Sequence, residues 1–272
     1  MSDTLPVDEN GLEYLEFDGH RRYFGKLRPD AGMLGSFPSF GASMPLVPRS
    51  DWVEIDRREL FGTDITEDQN GYNCCSAEAG TTALAKSCVL QGREYVRLSP
   101  ALPYSLANGG RDAGSMIANI LRALQDKGTC EFSTHGRTPF YRNQIPSTAW
   151  EQGKRWRVAE AYNADSFNEI ASGIQRGFMA VYGIQVGKNF GSLSASGIAP
   201  YVRGPGNHAM SADGMKQIGG KWYLDNHNSW GNRYGQNGRC YLGEEHFRGI
   251  DPDCWLIRAA EEDPDNAPPP MA

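Results

Sequence analysis

Three separated segments of this 272-residue chain carry side chains that together can attack and break an acyl bond. Gln69-Asn70-Gly71-Tyr72-Asn73-Cys74-Cys75-Ser76-Ala77 sets a thiol where the pattern predicts a helix start. At such a start the unsatisfied N–H groups and the positive dipole end favour the thiolate, the form that attacks a carbonyl. In Gly206-Asn207-His208-Ala209, His208 can take the thiol proton and return it to a leaving group. In Asn228-Ser229-Trp230-Gly231, Asn228 can hold the other ring nitrogen while Trp230 shields that bond from water. Gln69 adds a side-chain N–H that, with the backbone N–H of Cys75, can stabilise an oxyanion.

Taken singly, these residues have plainer readings. A Cys in a helix is usually a small buried hydrophobe, and a His in a strand is usually a satisfied polar residue. The ordered combination is what argues for a site. The neighbouring Cys74 invites a metal or redox reading, yet there is no Cys-x-x-Cys and no His pair at helical spacing, and a vicinal disulfide is strained. No metal site and no cofactor are predicted. His20, His135, His227 and His246 have no comparable context and are expected at the surface or in packing.

The elements that must position these groups follow from periodicity. Ala77, Gly80, Leu84 and Cys88 predict a helix from Cys75 closed by Gly92, and Met116, Ile117, Ile120, Leu121 and Leu124 predict a second within 114–127, ending at Gly128. Asp18-Gly19 between 12–17 and 20–27 predicts a hairpin, followed by irregular chain over 35–45. Beyond Trp150 the pattern turns to strands at 178–186, 208–218, 221–226 and 238–242, with Gly219-Gly220 as a turn. The expected organisation is an N-terminal extension over 1–50, a helical lobe over 51–150 and a β lobe over 151–259. An acidic, Pro-rich tail over 260–272 is too poor in apolar residues to pack a core.

Composition narrows the partners. The length and 39% hydrophobic content support a substantial core. A net charge of -6 and the lack of a Lys/Arg run argue against nucleic acid. Acidic residues stand where a secretory leader needs a basic start, and no apolar run is long enough for a membrane span, so a cytoplasmic or virion-associated protein is expected. In that compartment the six Cys read as reduced thiols.

The order and spacing of Gln69, Cys75, His208 and Asn228 resemble those of the papain-like cysteine proteases. Asn228-Ser229-Trp230-Gly231 followed by Tyr234-Gly235-Gln236-Asn237-Gly238 is similar to that family's run after its Asn, and Asn108-Gly109-Gly110 resembles its loop that pairs with substrate backbone. The likeness covers about Met44 to Ala259. It implies an α+β, two-lobed fold, a helical left lobe and an antiparallel β-barrel-like right lobe, with the active site in the cleft between them. It further implies a cysteine endopeptidase working through a thioester acyl-enzyme on peptide or protein substrates, with Gly109, Gly110 and Asn207 making backbone contacts.

The stretches 44–52, 69–73 and 95–100 look most like the short members encoded by tailed bacteriophages and some bacteria, which lack a long helical inhibitory prosegment. Residues 1–50 have neither the length nor the periodicity of one. Three positions depart from the family pattern: Tyr72 in place of a disulfide Cys, Ser76 in place of Trp, and Glu78 in place of an aromatic. A carboxylate facing the thiol would disfavour the thiolate. Two rival functions therefore stand beside the peptidase: a binding or structural module of a larger, viral assembly attached through its terminal extensions, and an amidase or transamidase using the same thioester chemistry.

Overall fold

The computed structural model describes residues 5–28, 36–62, 67–248 and 253–260. It begins with the expected hairpin, strand β1 (Tyr14–Phe17) against β2 (His20–Tyr23), with Tyr14 opposite Tyr23. Asp18 and Gly19 both take positive φ, 58° and 75°, as a two-residue hairpin turn of this twist requires. The chain then makes two one-turn helices, α1 (Phe40–Ser43) and α2 (Arg58–Phe61), before α3 (Cys75–Leu90). Helices α4 (Ala101–Asn108), α5 (Ile117–Asp126) and α6 (Ser147–Gln152) complete the helical part. Strand β3 (Val158–Asn163) and helix α7 (Phe167–Gln175) lead into β4 (Met179–Ile184), β5 (His208–Ile218), β6 (Lys221–His227), β7 (Arg239–Gly243) and β8 (Cys254–Ala259).

Strands β3 to β8 form one antiparallel sheet in the order β3-β8-β4-β5-β6-β7. It is open: the expected barrel-like lobe is not a closed barrel. Alternation along the strands explains why. Met179 and Val181 of β4 and Trp255 and Ile257 of β8 pack with α3 and α5 on one face. Ala180 and Tyr182 of β4 and Leu256 of β8 pack with Phe167, Ile170 and Ile174 of α7, plus Phe40 and Trp52, on the other. Each set of side chains meets a helix, so neither set closes on itself.

Helix α3 is not the one-sided helix its small-residue face predicts. Every residue from Cys75 to Cys88 is buried, including Glu78 and Lys86. Its charges are matched: Lys86 pairs with Asp213 of β5, which also accepts from Arg239 Nη1 at 3.2 Å, and Arg239 Nε reaches Asp225 at 2.9 Å. Burial without such partners would cost several kcal/mol per ion, on the order of 3–5. Helix α5 does carry its stripe, Ile117, Ile120, Leu121 and Leu124, against α3.

Helices α4, α6 and α7 and strands β3 and β8 went unread in the sequence because each is short or carries little alternation. All six Cys are free and buried. The tail over 261–272 and Gly35 lie outside the described residues. No helix among the described residues is long and apolar enough to cross a membrane.

Candidate active site

Cys75 is the first residue of α3, and the first N–H bonds of that turn, from Ala77 and Glu78, go to the Cys74 carbonyl at 2.9 Å each. Just upstream, Asn70 and Gly71 at φ 49° and 79° turn the chain so that the Tyr72 N–H reaches the Gln69 carbonyl at 3.0 Å. Gln69 is thereby returned to the helix start, and the Gln69 N–H bonds the Ser229 carbonyl at 2.8 Å. Its side chain is fully buried and its amide is oriented by Ser229, whose hydroxyl donates to Oε1 at 2.8 Å.

On the sheet, β5 begins at His208 and pairs antiparallel with β6, Ser211 opposite His227. Extending that register puts Trp230 opposite His208 and Asn228 on the diagonal, all on one face. His208 Nε2 lies 2.8 Å from Asn228 Oδ1, and the Trp230 ring lies 5.2 Å from the imidazole, centroid to centroid. His208 Nδ1 is buried and has no hydrogen-bond partner among the described residues. The backbone N–H groups of Ala209, the next residue, and of Gly25 favour the Cys75 thiolate, and burial opposes them. Gln69 is thus held beside Asn228 through Ser229, and His208 against Asn228 and Trp230, while Cys75 opens the helix that packs on β5.

Burial sets the charge state. It pushes the Cys75 thiol up, against the pull of the Ala209 and Gly25 N–H groups. It pushes His208 down to about 4, against the Asn228 bond. Near neutral pH both groups are uncharged in this arrangement. Cys74 is pushed well above the usual thiol range, by burial and then by Glu78. Glu78 is buried, pairs with Arg137 and rises to about 7, chiefly through burial. It turns to Arg137 and to the Cys74 side of the helix rather than standing alone over the site.

What covers the site is the N-terminal extension. From the end of β2 the chain runs as an extended strap through the gap between α3 and β5. The Tyr23 carbonyl accepts from Gln69 Nε2 at 3.0 Å. The Phe24 ring lies edge-on to His208 at 5.8 Å and against Trp230 at 6.1 Å. Gly25 passes so close to the nucleophile segment that a Cβ there would lie 1.7 Å from the Asn73 carbonyl oxygen. The Lys26 N–H bonds the Asn207 carbonyl at 3.2 Å, and on the other wall the Ser115 N–H bonds the Gly25 carbonyl at 2.7 Å while the Leu27 N–H reaches the Ser115 carbonyl at 3.1 Å. Arg22, buried and paired with Asp68, fastens the strap beside Gln69.

The Asn207 carbonyl thus pairs with the strap, whereas the N–H groups of Gly109 and Gly110 have other partners. Gly109, at φ 74°, caps α4 by bonding the Ser105 carbonyl at 3.0 Å, and the Gly110 N–H is taken by Asn108 Oδ1 at 2.9 Å. The pairing edge is Gly114-Ser115, just ahead of α5. Ser76 holds it by donating to the Ser115 carbonyl at 3.0 Å, and Asp112 ties the same loop to Asn73 N at 2.8 Å. The departure at Ser76 thus has a structural task. Nothing in the sequence pattern marks Tyr23 to Leu27 as cleft residues; for Ser115, the place just before a helix start was the one signal.

Among the described residues no three of His, Cys, Asp and Glu come together as a metal site. No family model and no curated protein sequence matches this chain. Solved structures do. Xylellain, a cysteine protease from Xylella fastidiosa, is similar at 18% identity and a TM-score of 0.63, over 86% of this chain and 90% of that one. Procathepsin B S9 from Trypanosoma congolense is similar at 15% identity and 0.67, over 87% and 86%. The bromelain protease from Ananas comosus, solved with the E64 inhibitor, is similar at 21% identity and 0.61, over 78% and 99%. With an open antiparallel sheet, a buried helix opening on Cys75 and these neighbours along most of its length, the chain has the fold of the papain-like cysteine proteases.

Proposed function

We propose that this chain is a cysteine peptidase held latent by its own N-terminal strap. The observation that carries the reading is one strip of extended backbone that puts a peptide carbonyl on the Gln69 amide, the Phe24 ring on His208 and Gly25 against Asn73, two residues before Cys75. A substrate bound in place of the strap would present its scissile carbonyl to Cys75. The thiol proton passes to His208 Nδ1, the sulfur adds to the carbonyl carbon, and the oxyanion is met by the Gln69 N–H and the Cys75 N–H. The proton then goes to the leaving amine, and a thioester remains. Water, deprotonated by His208, hydrolyses that thioester and restores the thiol. Asn228 holds the imidazole in the orientation both steps need.

Latency follows from the same contacts. The strap blocks the groove and also dries it, which favours the neutral thiol and neutral imidazole over the thiolate-imidazolium pair. Several of the similar solved structures are described as proforms or procathepsins, in keeping with this reading. The rival reading as a binding or structural module draws on the fully buried thiol, but Gly25 of the strap packs against Asn73, two residues before that thiol. An amidase or transamidase would use the same groups on another acceptor.

The test uses full-length protein with Gly25→Ala, which cannot seat the strap against Asn73. Cleavage of a mixed peptide library, abolished by adding Cys75→Ala, supports the peptidase. A displaced strap with a reactive thiol and no peptide cleavage points instead to the amidase reading. An unreactive thiol after displacement points to the module.

A further inference from the structure

Lys26 crosses the cleft with its backbone between the Asn207 and Ser115 walls, one residue beyond the Gly25 that passes Asn73. Its side chain does not leave for solvent. It turns inward, 1% exposed, and ends in an ion pair with Asp253, whose side chain is 4% exposed. Two glycines make the room: a Cβ on Gly183 would lie 2.5 Å from Lys26 Cε, and one on Gly206 would lie 3.2 Å from Nζ. Apart from the ion pair, neither Asp253 carboxylate oxygen has a hydrogen-bond partner among the described residues. The result is a side-chain pocket opening on the cleft, with glycine walls and a buried carboxylate at its end.

We propose that this pocket is a substrate subsite for a lysine or arginine side chain, with Asp253 as its specificity-determining residue and Lys26 as the chain's own occupant. The inference rests on the peptidase reading of the cleft and adds a substrate class to it, peptides with a basic residue next to the bond presented to Cys75. Once the strap leaves, Asp253 is a buried anion without a counter-charge, a costly state that an incoming cation relieves. A leucine side chain fills the space and leaves the anion unpaired, and a glutamate adds a second one. Arginine suits the carboxylate further, because its planar fork can donate two parallel hydrogen bonds.

The experiment measures peptide binding to full-length Gly25→Ala/Lys26→Ala/Cys75→Ala protein, which has the strap displaced and no nucleophile. Fluorescent hexapeptides vary one position at a time among Arg, Lys, citrulline, Leu and Glu. Arg and Lys peptides should bind about 30-fold or more tighter than their Leu and citrulline counterparts at one position, the usual scale for a buried charge pair. Adding Asp253→Asn should remove that preference, and so should Gly183→Ala, which fills the pocket without touching the charge. Absent binding, equal binding of Arg and Leu peptides, or a preference that survives both changes overturns the subsite. Restoring Cys75 and following cleavage separates the two claims. Basic-selective binding without cleavage removes the peptidase and leaves the subsite, whereas cleavage without basic preference does the reverse.

Discussion

The Gln69 side-chain amide donates to the Tyr23 carbonyl at 3.0 Å, so the group proposed as oxyanion donor is occupied by the peptide backbone of the same chain. The contact ties the candidate chemistry to the position of the N-terminal strap, and most of the expected behaviour follows from breaking or keeping it.

Gly25→Ala should raise the rate of thiol alkylation by an epoxide electrophile at least about 10-fold, a change of 1.4 kcal/mol or more in strap closure. A Cβ 1.7 Å from the Asn73 carbonyl cannot be absorbed by a side-chain movement, because the obstacle is backbone. Peptide mass mapping should place the label on Cys75. Preferential labelling of Cys74, Cys88 or Cys130 would move the nucleophile elsewhere.

In that opened background, Cys75→Ala should abolish peptide cleavage with little loss of fold. Gln69→Ala should lower kcat by about 10²- to 10³-fold, the usual loss for one oxyanion donor. Asn228→Ala should leave a measurable remainder, since orientation is one contribution among several. Initial-rate kinetics on one cleaved peptide check all three, and unchanged rates in the Gln69 variant would take that residue out of the site.

His208 stands neutral in the closed protein, with its ordinary value of 6.5 lowered to about 4 by burial. Unfolding frees it to bind a proton in that interval, so its contribution is fully present above pH 6.5 and is lost as pH falls through 4. The loss amounts to about 3 kcal/mol. His227, buried with both ring nitrogens unpartnered and pushed well below its usual range, acts with the same sign. Urea denaturation at pH 7 and pH 4.5 should show a clear fall for the parent and a smaller one for His227→Gln; identical falls would mean that His227 is hydrated.

Asp213 balances both Lys86 of α3 and Arg239 of β7 inside the protein. Removing its charge with Asp213→Asn strands the buried Lys86, leaves Arg239 with Asp225 alone and should cost about 3–5 kcal/mol. Thermal and urea unfolding read this directly. A loss below about 1 kcal/mol would show that water reaches the network.

The candidate site residues were legible in the sequence from the order and spacing of Gln69, Cys75, His208 and Asn228, a combination more specific than any one of them, with a helix start marking Cys75. Their convergence, and the roles of Asn228 and Trp230 on the diagonal from His208, follow from one strand register. The hairpin at Asp18-Gly19 and the apolar stripe of α5 were equally local. What tertiary structure alone decided is where non-local backbone lies. Helix α3 reads as one-sided but is buried all round, because the sheet and α5 close on it from opposite sides and Arg137 and Asp213 neutralise its charges. Gly109 and Gly110 look like a pairing edge, yet they cap a helix, and Ser115 pairs instead because Ser76 and Asp112 hold its loop to the nucleophile segment. Tyr23 to Leu27 carry no periodicity. Their place in the cleft depends on a glycine small enough to pass Asn73 and on two ion pairs, Arg22 with the half-exposed Asp68 and the buried Lys26 with Asp253, whose partners lie far away in sequence and meet only once the chain has folded.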